Sequence, residues 1–165
     1  MLTPLFHITL PDLADSTVES HFAPVVILLD AFAKVNEWHI RRSIRRYEAG
    51  LDPAPIPPLY ASGVVYKEDP PGEENWKDCL AVLADGHGDC DRVVSWRVAE
   101  LRVAGIAAEP VIKWQHLEPG LAAQLGYPCG PAGLWMVHCC VKFPDGTIED
   151  TSKNLGMGGG FTSQV

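Results

Sequence analysis

The run Gly86-His87-Gly88-Asp89-Cys90-Asp91 constrains this chain more than any other, because it ends one helical pattern and opens the next. Upstream, Trp76 to Ala84 reads as a short helix closed by Asp85-Gly86. Downstream, Cys90 to Ala104 reads as a longer, amphipathic helix. Cys90, Val94, Val98 and Leu101 fall on one stripe, with Val93 and Trp96 beside it. Asp89 suits the N-cap, Asp91 the first turn and Gly105 the stop. A thiol is thereby placed where the positive end of a helix dipole favours thiolate, although the charges of Asp89 and Asp91 oppose it.

A second constraint lies downstream, in Phe143-Pro144-Asp145-Gly146-Thr147. Proline early in a turn and glycine at a left-handed position predict a type I turn with a G1 bulge. Trp135 to Phe143 and Thr147 to Thr151 then form a hairpin, pairing Lys142 with Ile148 and Cys140 with Asp150. Side chains alternate along a strand, so His138, Cys140, Ile148 and Asp150 share one face. A two-residue loop would send Asp150 to the other face.

Elsewhere the patterns are simpler. Leu5 to Leu10 reads as a short strand and Pro11 to His21 as turn. Pro24 to Tyr47 reads as a helix with Pro24 in its first turn, Gly50 as its stop, and Val26, Leu29, Phe32, Ala33, Asn36 and Ile40 near one face. Arg41, Arg42, Arg45 and Arg46 crowd its last turns, where cations are favoured. Tyr60 to Lys67 and Ala107 to His116 read as strands, Asp69 to Gly72 as a turn, and Leu117 to Gly133 as a loop. Trp38, Trp96, Trp114 and Trp135 are expected in the core.

With 165 residues the chain reads as a single domain, 1–165, and its net charge of -8 argues against nucleic acid and anionic membrane surfaces. No basic region precedes an apolar segment at the N-terminus, and no apolar run spans a bilayer. The five cysteines, at irregular spacing, read as reduced thiols in the cytoplasm. No CxxC pair supports zinc or thiol–disulfide chemistry, and no Lys-Ser/Thr follows the glycines to make a phosphate loop. His87 and Cys79 alone do not make a metal site, so neither metal nor cofactor is expected.

The chemistry-bearing residues are Cys90, His138 and Asp150, in the roles of nucleophile, base and orienting acid. Taken singly each has an ordinary structural reading. Their conjunction singles them out: a glycine-framed thiol at a helix start, then histidine and aspartate on one face of a hairpin. The Cys90 backbone N–H is expected to serve as an oxyanion donor. Trp76 and Asp89 are the further candidates for oxyanion or substrate binding.

Gly88-Asp89-Cys90-Asp91, the helix through Trp96 to Gly105-Ile106, and His138 to Asp150 together resemble the transglutaminase-like superfamily of cysteine enzymes. The run from Pro58-Leu59-Tyr60 through Trp76 is similar to small bacterial and phage-encoded members. The resemblance implies an α+β, papain-like fold, with the cysteine helix packed on an antiparallel sheet. It implies a core over residues 59–157, preceded by an N-terminal extension over 1–58 and followed by a loose tail over 158–165. It also implies a cysteine hydrolase or acyl transferase acting on protein or peptide amides. Hydrolysis is favoured, because an amine acceptor needs its own pocket. The alternative is a non-catalytic interaction module, such as a phage structural or assembly protein. The helix from Pro24 to Tyr47 lies outside the matched region and is expected either to cover the sheet or to dock a protein partner. No calcium-binding loop of the EF type is present.

Overall fold

The computed structural model describes residues 18–70, 75–124, 126–127 and 129–158. The strand expected over 5–10, part of the turn at 69–72 and most of the glycine-rich tail lie outside the described residues. The architecture is mixed α+β. Helix α1 (Val18–Glu48) leads through a 3-10 turn at Leu59–Ala61 to strand β1 (Val65–Tyr66) and helix α2 (Cys79–Asp85). Strand β2 (His87–Gly88) then feeds helix α3 (Cys90–Val103). Strand β3 (Glu109–Leu117), helix α4 (Pro119–Gln124), strands β4 (Leu134–Lys142) and β5 (Ile148–Glu149) and helix α5 (Thr151–Asn154) complete the chain. Among the described residues no helix is long and apolar enough to cross a membrane.

Two small sheets frame the molecule. β1 and β2 pair in parallel, and β3, β4 and β5 form an antiparallel sheet in that order. Val93 and Val82 explain why residue 88 is glycine: a Cβ there would lie 3.1 and 3.2 Å from their methyl groups. Asp78 caps α2 by accepting from the Leu80 and Ala81 amides.

α3 occupies the centre. Its Val94, Val98 and Leu101 join Leu29, Phe32 and Ala33 of α1 and Cys139 and Val141 of β4 in one apolar cluster. Its Val93, Trp96 and Ala99 join Ile40, Leu59, Val64, Cys79 and Val82 in a second. The helix expected to keep a wet face is therefore buried on nearly every side, Asp91, Arg92 and Ser95 included. Arg92 is accommodated by an ion pair with Asp69, from the segment after β1, and by Asp91 at 3.8 Å. Asn36 is fully buried too: its amide donates to Ser95 Oγ at 3.3 Å and its oxygen accepts from the Cys79 backbone at 2.8 Å. One side chain thus ties α1, α3 and α2 together.

Several expectations need correction. Helix α1 begins at Val18, before Pro24, which lies inside it as its seventh residue and forgoes one intrahelical hydrogen bond there. Tyr60 to Lys67 is a 3-10 turn and a two-residue strand rather than one strand, because the positive-φ Gly63 interrupts it. The loop over 117–133 contains α4. Trp38 and Trp114 are exposed, whereas Trp96 is in the core; Arg42 stacks over Trp38 at 5.3 Å, which gives that ring a use at the surface.

The hairpin has the expected register, with Lys142 opposite Ile148 and Val141 opposite Glu149. Gly146 takes φ 88°, its amide donates to the Phe143 carbonyl at 2.9 Å, and Phe143 N–H donates to Thr147. Pairing stops at Glu149, however. Asp150 is not a strand residue but the N-cap of α5, accepting from the Lys153 amide.

Candidate active site

Three elements bring three side chains together. α3 carries Cys90 at its first position, β4 carries His138, and the β5–α5 junction carries Asp150. His138 is buried, and its Nε2–H donates to Asp150 Oδ1 at 3.0 Å. The Cys90 thiol is in hydrogen-bonding contact with the same ring. The carboxylate occupies Nε2, which leaves the other ring nitrogen to exchange a proton with sulfur.

Cys90 also meets the Cys139 thiol, which projects from β4 into the apolar cluster under α3. This second thiol is the largest influence on Cys90, because its S–H donates to the Cys90 sulfur. Burial works the other way, His138 adds to the lowering, and the Asp89 charge opposes it. The outcome is a Cys90 thiol brought down to about 6. Cys139 moves up correspondingly, held protonated by its bond to Cys90, by burial and by the neighbouring negative charge. Burial disfavours charge on His138, but contacts with Cys140, Cys90 and Asp150 outweigh it and raise the ring to about 11. Both shifts favour a thiolate–imidazolium pair.

Asp89 has a different place from the one expected of an oxyanion or substrate group. Its Oδ1 accepts from the Cys90 amide at 2.5 Å and from the Tyr66 hydroxyl at 3.2 Å, and its Oδ2 accepts from the Asp69 amide at 3.0 Å. The Cys90 N–H expected to face an oxyanion is thus already engaged, because a capping carboxylate competes for the same donor. Trp76 is 7% exposed and packs its ring 5.5 Å from Phe32, in the cluster against which Cys90 rests.

A charged network braces the acid from behind. Arg97 of α3 donates to Glu149 Oε1 at 2.9 Å and to Glu100 at 3.3 Å, and stacks over the Tyr60 ring at 5.0 Å. The Tyr60 hydroxyl donates to Glu149, and Glu100 accepts from the Leu59 amide. Glu149 immediately precedes Asp150, so this network anchors β5 to α3. No spacing rule in the sequence links residues 60, 97 and 149.

The donor atoms of His138, Cys140 and Asp150 lie within 4.8 Å of one another, so these three could hold a soft divalent ion. Cys79 lies in the second apolar cluster, where burial pushes its thiol up to about 12. An open cavity of about 510 Å³ lies away from the triad, lined by His39, Arg42, Arg46 and Asp52 of the α1 side and by Leu80 and Leu83.

No protein-family model, curated protein or solved structure matches this chain.

Proposed function

We propose that the protein is a cysteine hydrolase or acyl transferase of the transglutaminase-like kind, acting on a protein or peptide amide. The carrying observation is one chain of contacts: Cys90 against the His138 ring, and that ring bonded to Asp150 at 3.0 Å.

The Cys90 thiolate attacks the amide carbonyl, and the C–S bond forms as the carbonyl π electrons move onto oxygen. The His138 imidazolium then gives its proton to the departing nitrogen. The C–N bond breaks and a thioester remains on Cys90. Neutral His138 next takes a proton from water, or from an amine, which attacks the thioester and frees the thiolate. Asp150 holds the ring in place and favours its charged form throughout. While Asp89 retains the Cys90 amide, the oxyanion must draw on other donors. Water is the simpler acceptor, so hydrolysis is the favoured outcome.

Iodoacetamide labelling of Cys90 across pH, read by peptide mass spectrometry, tests the activated pair. Half-maximal reactivity is expected near pH 6 in the natural chain and at higher pH in His138→Ala, where only the Cys139 contribution to the lowering remains. Cys90 labelling in the ordinary range in both proteins would overturn the reading and leave the non-catalytic module. Ammonia release and primary-amine incorporation on a casein substrate then separate hydrolysis from transfer. Either activity should fall by about two to four orders of magnitude in Cys90→Ala.

A further inference from the structure

Cys139 takes no part in the amide chemistry, yet it belongs to the buried cluster against which the nucleophile packs. We propose that Cys90 and Cys139 form a peroxide-responsive dithiol, in which a hydroperoxide oxidises Cys90 and Cys139 then closes on it as a disulfide. The inference goes beyond amide cleavage and requires only that Cys90 be reactive.

The placement of the two sulfurs suits this division of labour. Cys90 is partly exposed at the first residue of α3, the only one of the two thiols on the solvent side. Cys139 is 3% exposed and lies among Val94, Val98 and Val141, shielded from solvent oxidants. The first residue of α3 packs against the buried cluster that holds Cys139 of β4, so the fold sets the two thiols side by side. Closure brings the two sulfurs to an S–S bond of about 2.05 Å. Cys140, by strand alternation, projects from the opposite face of β4 toward His138 and Asp150. Cys79 belongs to the other apolar cluster, and the Cys129 thiol donates to the Pro119 carbonyl. Cys139 is thus the resolving thiol that the fold presents to Cys90.

The chemistry balances with hydroperoxide as the oxidant. The Cys90 thiolate attacks the distal peroxide oxygen, the O–O bond breaks, and an alkoxide or hydroxide leaves with a proton from the His138 imidazolium. Cys90 becomes a sulfenic acid, a two-electron oxidation matched by reduction of the peroxide. That step also removes the Cys90 charge beside Cys139. The Cys139 sulfur then attacks the sulfenic sulfur, its proton joins the departing hydroxyl, and water is released as the disulfide forms. A thiol reductant restores both groups. The disulfide stops the ladder before sulfinic acid and withdraws the nucleophile reversibly.

The test treats the full chain with one equivalent of hydrogen peroxide in the presence of dimedone. Intact and tryptic mass spectrometry follow, with tandem fragmentation to place the link. Trypsin puts Cys90 with Cys79 in residues 78–92 and Cys139 with Cys129 and Cys140 in residues 114–142. The natural chain is expected to lose two hydrogens, join these two peptides through Cys90 and Cys139, and lose Cys90 alkylation until dithiothreitol restores it. Cys140→Ser should behave the same way. Cys139→Ser should instead accumulate a dimedone adduct on Cys90 without the mass loss. A dimedone adduct or sulfinic acid on Cys90 in the natural chain, or a link that disappears in Cys140→Ser, would overturn the proposal. If Cys139→Ser does not fold, the natural chain and Cys140→Ser still decide it. Cys90 that labels near pH 6 yet forms no disulfide would sink this inference and leave the amide reading standing.

Discussion

Asp150 and Asn36 show how much a single polar side chain carries here. Asp150 Oδ1 accepts from both His138 Nε2 and the Lys153 amide, each at 3.0 Å. Asparagine keeps an acceptor for the cap, whereas alanine keeps none. Asp150→Ala should therefore lose about 1 kcal/mol of stability that Asp150→Asn largely retains. Both should reduce Cys90-dependent turnover, because neither holds the ring with a charge. Urea melts and turnover measured on the same preparations check the split. Asn36→Leu should cost about 1–3 kcal/mol by stranding the Cys79 amide in a dry interior. Turnover per folded molecule should stay level, since Asn36 touches none of the triad. The sequence placed Asn36 on the apolar face of its helix but carried no sign of partners on two other elements. Asp150 was legible as a partner of His138 from the turn alone. Its capping role was overlooked in favour of a strand, although aspartate before Thr151-Ser152-Lys153 is a plausible helix start.

Turns and helix ends set the site at the scale of elements. The Pro-Asp-Gly loop was readable because only one common three-residue turn places a left-handed glycine there. The register that follows carries His138 and Asp150 to one face. A branched side chain at φ 88° is strained, so Gly146→Val should cost about 1 kcal/mol or more. It should also slow Cys90 chemistry by disturbing the loop that sets β5. Hydrogen exchange at Ile148 and Glu149, compared with α3, would locate the damage. Intact exchange in the hairpin alongside lost stability would contradict this account. The all-round burial of α3 was not legible: Asp91, Arg92, Arg97 and Glu100 look like a solvated face. Their partners, Asp69, Glu149 and the Leu59 amide, arrive from distant segments that no periodicity connects. The Cys90–Cys139 contact escaped for the same reason, because it depends on how a helix crosses a strand.

The whole molecule is organised around one helix, and this changes the standing of the N-terminal segment. Leu29, Phe32 and Ala33 of α1 share a cluster with Cys139 and Val141, so α1 covers α3 beneath β4. A chain beginning at residue 59 should consequently fail to fold cooperatively and should bind a hydrophobic dye. In the full chain, Leu29→Ala should cost about 2–5 kcal/mol. A cooperative melt from the shortened chain would contradict this arrangement. Of the α+β fold, the Cys90 helix and the hairpin were readable from local pattern. The parallel β1–β2 pair and the Arg97–Glu149 brace needed the assembled molecule. Asp150 also has a wider consequence. One oxygen steadies the ring and begins the last described helix, so the amide proton of Lys153 works as a remote gauge of the imidazole. Whatever draws the acid off the ring should leave a mark on the backbone three residues later, readable by a spectroscopist who never sees the sulfur.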